Sequence, residues 1–409
     1  MSANGAGGRL PRKGTSKESD EGESPAPSKS ERRMLWALLL GNFVTGTAIL
    51  LPAGMLTELA SGLNVTVPAA GGLMLASGVL VAFGAPALAA ATSRVDRRLL
   101  LTFALLLFVV THAASAMATS FSMLMATRVV MAVAAAIFTP QAAATLGALL
   151  PPERRSSAIT MIFIGWSVAT VAGMPLGGYV ANAFGWPTAF AVVAVIALVA
   201  ALAVWLTVPA GIKIVPLNSA AWKQVLTSKA LMTVLLVTAL NGTGQFTFFT
   251  YLNPSLKEGL SATAGLTTFV LAWYGVSATI GNVVASVVVD RLGAAKAALV
   301  TLLAMAAGLF VWGAAASVLG IVLVAATLWG LGTFSTNSIQ QARLAGIAPE
   351  LTSASISLNT SAIYAGQAAG SGLGGLLIQA NMLPDLPWVG AAILILAAAV
   401  SFIAMRWEH

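Results

Sequence analysis

The sequence predicts an all-α polytopic membrane protein, with twelve transmembrane helices in two parallel six-helix halves. Three observations carry that prediction. Hydrophobic residues make up 58% of the 409 residues and charged ones only 8%, against roughly 25% charged in a soluble globular chain. Long stretches such as 99–127 and 230–255 hold no Asp, Glu, Lys or Arg, and about 20 apolar residues suffice to cross a bilayer as a helix. One phrase also returns: AGMPLGGYVA at 172–181 is matched 197 residues later by AGSGLGGLLI at 369–378.

The elements follow in order. Residues 1–33 are rich in Ser, Gly, Pro and charge and lack an apolar segment, so they read as a disordered cytoplasmic tail and not as a signal peptide. The remainder accommodates spans near 35–58, 68–92, 99–119, 121–149, 156–181, 188–208, 230–252, 264–289, 297–316, 319–342, 352–378 and 388–405. Pro151, Pro152, Pro187, Pro209 and Pro216 fall in connections, where a missing N–H costs little. The longest connection on the tail's side, 211–229, separates an N-terminal bundle at 34–210 from a C-terminal bundle at 230–409.

With the N-terminus inside, all of the 21 Lys and Arg residues except Lys257 and Arg128 fall in cytoplasmic segments. So one-sided a distribution fixes the expected orientation, with both termini cytoplasmic. It also explains the net charge of +8 as a topological bias, so no nucleic-acid partner is expected. The repeat is then a matter of parity. Six spans are an even number, so a copy displaced by six helices keeps its orientation. Two more pairs share the offset: PPERRSSA at 151–158 with APELTSAS at 348–355, and SRVDRR at 93–98 with DRLGAA at 290–295. Parallel halves with a site between them near the midplane are a secondary-transporter architecture.

Several motifs, in order, carry a family resemblance. GAPALAAATSRVDRRLLL at 84–101 resembles a Gly-x-x-x-Asp-Arg-x-Gly-Arg-Arg loop, with Ser93, Arg94, Asp96, Arg97 and Arg98 at its core; Ser93 replaces the usual Asp, and Asp96 the second Gly. The second half keeps a better copy in Asp290, Arg291, Leu292 and Gly293. Arg128 early in the fourth span, PPERR after it, GMPLGG in the fifth and SLNTSAIYAGQAAGSGLGG in the eleventh complete the set. The chain resembles the major facilitator superfamily, in its twelve-helix drug/proton antiporter and sugar-efflux (arabinose efflux permease-like) branch. That resemblance implies a monomeric secondary active transporter working by alternating access. It would reside in the plasma membrane (the bacterial inner membrane) and export a small molecule (a drug, sugar, nucleoside or metabolite) with protons as the coupling ion and no cofactor. A facilitator or importer of a small neutral solute, and a non-transporting membrane receptor, stay open as alternatives.

The residues themselves suggest roles. Gly173 and Gly177 lie four apart on one helix face beside Gly178, and small residues let helices approach closely; Pro175 can bend the helix. A sealed contact between the halves is expected there. Asp96 and Asp290 sit beside basic residues at loop ends and are expected to hold the cytoplasmic side closed, together with Arg291 and Gly293. Arg128 lies roughly 10 Å inside its span at 1.5 Å per residue, where a charge costs about 2.5–3.5 kcal/mol; Glu58 is its expected counter-ion, and His112 a further candidate coupling group at similar depth. Asn42, Thr45, Gln141, Asn241, Gln245, Trp273, Asn337, Asn359, Tyr364 and Gln367 are candidates for a polar but uncharged substrate cavity, with Phe246, Phe248, Phe249 and Tyr251 as an aromatic band. No GxxxxGK, HExxH or nucleophile-elbow pattern competes, and cysteine is absent, so neither an enzyme nor a metal site is expected.

Overall fold

The computed structural model describes residues 2, 28–213 and 219–407, apart from the side chains at 152, 153, 156, 219, 286–288, 290 and 353. Most of the expected tail and residues 214–218 of the expected linker therefore lie outside the described residues. The exception in the tail is Lys29–Arg33, which already forms the first turns of a helix.

Twelve long helices organise the described residues. They are α1 (Lys29–Gly54), α2 (Val67–Ala91), α3 (Arg97–Ala116), α4 (Phe121–Leu149), α5 (152–184), α6 (Trp186–Thr207), α7 (Lys229–Phe249), α8 (Ala264–Leu292), α9 (Ala294–Ala314), α10 (Leu319–Ile347), α11 (Thr352–Gln379) and α12 (Leu386–Ala404). Eleven are long and apolar enough to cross a membrane. The twelfth, α11, has 28 residues, about 42 Å at the α-helical rise, but carries so many Ser, Thr, Asn, Gln and Gly residues that its composition is less apolar. Side-chain caps set several starts: Ser28, Thr66, Asp96, Ser120, Ser228 and Thr263 each accept a bond from the backbone N–H three residues on, satisfying one of the four free donors of a helix N-terminus. Gly293, at φ 76°, ends α8 and starts α9 without a break, a conformation glycine adopts freely.

An even number of long helices brings the start of α1 and the end of α12 to one side, here called the near side; the other is the far side. Within each half the same pairs pack: α1 with α5, α2 with α4 and α3 with α6, matched by α7 with α11, α8 with α10 and α9 with α12. The repeated glycine phrase explains the first of these pairs. A β-carbon on Gly173 would meet the Thr47 side chain, one on Gly177 would meet Leu51, and one on Gly178 would meet the Gly54 carbonyl, all on α1. At the same offset, Gly370 and Gly374 of α11 lie directly against the carbonyls of Thr243 and Thr247 on α7. The phrase therefore recurs where each half brings its first and fifth helices closest together. The GMPLGG glycines themselves pack inside the N-terminal half, while the helix that carries them also meets α8 of the other half.

Pro175 does shape the contact between halves, by another route. It offers no N–H to Val171, and its ring would collide with that carbonyl. The helix answers by widening into a π-turn at Ala169–Gly173 before resuming over Met174–Phe184. The widened turn meets α8, where a β-carbon on Gly275 would lie 2.7 Å from the Thr170 carbonyl oxygen. The α5–α8 seam and its pseudo-symmetric mate, α2 with α11, join the halves. In the second seam a β-carbon on Gly78 would lie 2.9 Å from both Tyr364 O and Ala368 N.

The ladder makes a graded prediction. Gly178→Ala forces a methyl group against backbone and is expected to cost about 1–3 kcal/mol. Gly177→Ala meets only the end of the Leu51 side chain and should cost less than about 1 kcal/mol. Thermal unfolding of both purified variants in nanodiscs checks this; equal losses would contradict the register.

Candidate functional site

Three polar groupings sit inside the bundle. The first closes the far side. There α1 breaks after Pro52 into a short helix, Leu56–Gly62, and α7 is followed by a matching one, Leu252–Leu260. Lys257 Nζ donates to Glu58 Oε1 at 2.8 Å and to Thr57 Oγ1 at 2.6 Å; Thr57 donates to Asn253 Oδ1 at 2.8 Å; Asn253 Nδ2 donates to the Gly54 carbonyl at 2.9 Å. Asn182 of α5 donates to Glu58 as well. Every described side-chain hydrogen bond that joins the halves lies in this clasp, except Gln367 Nε2 to Met74 O at 3.3 Å, itself in the far part of the α2–α11 seam. Tyr251 adds a wedge: its hydroxyl donates to Ser371 O at 2.8 Å and leaves no room for a side chain at Gly71 of α2. On the near side no described side-chain hydrogen bond crosses between the halves.

The second grouping is a pair of polar clusters at equivalent places in the two halves. In the N-terminal half Asn42 Nδ2 donates to Ile162 O at 3.2 Å, Thr139 donates to Asn42 Oδ1 at 2.7 Å, and Trp166 Nε1 donates to Thr139 at 3.3 Å. In the C-terminal half Thr238 donates to Asn359 Oδ1 at 2.7 Å, and Asn359 Nδ2 donates to Asn337 Oδ1 at 3.2 Å. Ile162 and Asn359 stand 197 residues apart, the offset of the repeat. Asn282 and Ser338, joined at 2.7 Å, extend the second cluster onto α8. Sequence reasoning passed over Thr139, Trp166, Asn282 and Ser338; a search for polar residues beside repeat-equivalent positions would have raised Thr139 and Trp166.

The third is a buried cation. Arg128 is fully buried, donates from Nη2 to Ala48 O at 2.6 Å and has no partner at Nε or Nη1. His112, equally buried, lies a turn away, because Ser115 and Thr127 bond at 2.7 Å between α3 and α4. Its Nδ1 faces Phe108 O at 2.9 Å and its Nε2 has no partner. The expected Arg128–Glu58 pair is not formed: Glu58 is held by Lys257 on the opposite half. Burial cost correctly demanded a partner for Arg128, but the chain supplies a carbonyl and not a carboxylate.

The remaining predicted residues sort by environment. Asn241 and Gln245 of α7 are nearly buried with no partner for either side-chain oxygen. Asn337, Asn359 and Gln367 belong to the bonds above, and Tyr364 is half-buried beside Gly78. Thr45 is buried and bonded to Gly41 O at 2.9 Å, within its own helix. Gln141 accepts from Arg97 at 2.7 Å, and Arg97 also reaches the Ser93 carbonyl, tying α4 to the loop. Trp273 is no part of the cavity: it lies on the face of α8 opposite Gly275 and donates to Leu323 O and Thr327 of α10. Phe248 and Phe249 stack with Trp312, Trp329 and Tyr274 as the core of the C-terminal half, so the aromatic band packs the bundle and does not line the cavity.

Among the gating residues, Asp96 caps α3 at Leu99 N and accepts from Gly211 N. Both bonds stay inside the N-terminal half, so Asp96 does not bridge the halves in this conformation. Arg98 lies 4.1 Å from the Trp205 ring centre, Arg94 and Arg291 are exposed, and the Asp290 side chain lies outside the described residues.

Two parallel six-helix halves, clasped at one end around uncharged polar clusters, define a helical membrane transporter. The sequence model of the Major Facilitator Superfamily matches residues 38–269 and 234–409, and the chain belongs to that family. It is 29% identical over 380 residues to the inner membrane transport protein YdhP of Escherichia coli (strain K12), covering 91% of this chain and 96% of that one. It is 34% identical over 265 residues to the chloramphenicol resistance protein of Streptomyces lividans, covering 63% and 67%. The crystal structure of a D-xylose-proton symporter superposes with a TM-score of 0.73 at 16% identity, over 91% of this chain and 97% of that one, which shows the fold alone.

The clasp generates a test. Its hydrogen bonds contribute about 0.5–1.5 kcal/mol each and its partly exposed ion pair about 0.2–1 kcal/mol. That sum is comparable to the few kcal/mol separating two conformers. Lys257→Met or Glu58→Gln is therefore expected to raise the thiol-labelling rate of a cysteine placed at Thr267, buried beside the clasp, by several-fold. An unchanged rate in both variants would show that the clasp does not hold the far side closed.

Proposed function

We propose that the chain is a proton-coupled exporter of small uncharged molecules, with the near side in the cytoplasm of a bacterial cell and the bundle in the inner membrane. The bundles at 34–210 and 230–409 rock about the α2–α11 and α5–α8 seams, with 211–229 as their cytoplasmic link. The observation that carries this reading is that, among the described residues, every side-chain hydrogen bond between the halves lies in the far part of the molecule. A conformer clasped at the far end is one of the two that alternating access requires. The sidedness rests on the Lys and Arg distribution. Export is supported by the resistance function named for the Streptomyces lividans relative.

Proton coupling needs a group that exchanges protons during the cycle. Glu58 is favoured because opening the far side must part it from Lys257 and bring its carboxylate into contact with the outer solution. Arg128 and His112 are buried inside the N-terminal half and are candidates for transmitting that change. Single molecules suffice for the mechanism, since both seams are internal to one chain.

Chloramphenicol is the first substrate to test. Proteoliposomes with an acidic lumen should accumulate labelled chloramphenicol above protein-free controls, and nigericin should abolish the accumulation. Transport that merely equilibrates and ignores the gradient would favour a facilitator; no protein-dependent flux of any solute tried would favour a receptor.

A further inference from the structure

The central amides of the two halves differ in their spare hydrogen-bonding capacity. In the N-terminal half the central amides are used up internally: Asn42 is bonded at both ends, and the Gln141 oxygen is taken by Arg97. Thr139 accepts from Trp166 while donating to Asn42. The unpartnered hydroxyl of Thr47 is packed beneath Gly173. In the C-terminal half, by contrast, buried acceptors stand without partners at Asn241 Oδ1, Gln245 Oε1 and Ser361 Oγ.

The α5–α8 seam shows the same asymmetry. Its deepest glycine contact is Gly275 on Thr170. Seven residues along a helix is two turns on nearly the same face. On α8 that step toward the near side leads to Asn282, bonded to the exposed Ser338. On α5 it leads to Phe163, 37% exposed, with the half-buried Trp166 one turn above. Contacts between the two helices concentrate on their far parts and thin out toward the near side. The bonded Asn282–Ser338 pair and the Phe163–Trp166 aromatic pair therefore stand at the same level of the widening seam. Neither wall offers a described acid at this level, so nothing there would compensate a cationic ligand.

We propose that the ligand is an uncharged amphiphile held in one orientation. Its hydroxyl or amide groups lie against Asn241, Asn282, Ser338 and Ser361 of the C-terminal half, and its apolar, preferably aromatic body against Phe163 and Trp166 of the N-terminal half. This inference rests on the transporter reading and gives it a substrate class and a polarity. A single amphiphile bridging unlike walls would also favour drawing them together on the near side, because each half satisfies a different part of it.

Binding to the purified protein in nanodiscs, without any gradient, tests the class separately from transport. The probes are chloramphenicol and 4-nitrophenyl β-D-glucoside, each with its fully O-acetylated form, read by calorimetry. The wild type should bind both parent compounds more tightly than their acetylated forms. Asn282→Ala with Ser338→Ala should weaken the parent compounds about tenfold, the loss of one or two net hydrogen bonds, and leave the acetylated forms unchanged. Phe163→Ala should weaken parent and acetylated forms by the same factor. Unfolding temperatures within the wild-type range confirm that each variant is folded. The proposal is overturned if the wild type binds neither parent compound at millimolar concentration, if acetylation makes no difference, or if the Phe163 variant is the one that loses discrimination. Intact discrimination without gradient-driven flux would instead remove the exporter reading and leave the ligand class standing.

Discussion

Close helix approach at glycine between α1 and α5, and again between α7 and α11, is the interaction on which the rest of this structure depends. Helices in lipid gain little from apolar side chains facing each other, since the surrounding chains are equally apolar; close approach supplies the packing energy instead. Gly173, Gly177 and Gly178 provide it in one half, and Gly370 and Gly374 in the other. Each half is thereby a unit with its own internal rungs. The contacts between the halves are fewer: a glycine against a π-turn, a glycine against the α11 backbone, and a polar clasp at one end. A molecule built this way has a natural plane along which to part.

The π-turn links local chemistry to that plane. Pro175 cannot sit in a regular helix without losing a bond, and the distortion it causes falls where α5 meets α8. The carbonyl side of the widened turn fits against a residue with no side chain. A helix without the proline would keep its regular width there, and Gly275 would lose its reason to be glycine. The clasp uses different physics. Its charged pair is partly exposed, with Lys257 35% and Glu58 12% accessible, so its strength depends on the far-side solution. The seams are apolar and are insensitive to that solution.

Much of the fold was legible in the sequence because its signals are covalently local. Charge-free runs mark spans, Lys and Arg mark their ends, and an offset of 197 residues between equal phrases marks the halves. The site was less legible. Polar residues inside spans were easy to find, but whether Asn42 serves a ligand or Ile162 O depends on a contact 120 residues away. Arg128 was correctly singled out as costly, yet its partner was sought among acids near in depth, and Glu58 proved to be engaged across the halves by Lys257. Trp273 was assigned to the cavity from its type alone; the facing of α8 is set by Gly275, two residues and about 200° away. GMPLGG shows a similar limit, because small residues promise close contact without saying with which helix: its glycines meet α1, while the same helix also packs on α8.

The central claim is that the halves move as bodies, closing one end as the other opens. Paired interspin distances test it most directly, and the chain's lack of cysteine makes site-specific labelling straightforward. One pair, at Ser61 and Glu258, reports the far side; the other, at Arg155 and Arg291, reports the near side of the α5–α8 seam, and all four positions are exposed. Introducing Glu58→Gln into both labelled proteins should lengthen the far-side distance and shorten the near-side one. Distances that lengthen together, or a far-side change with no near-side response, would contradict rigid-body alternation.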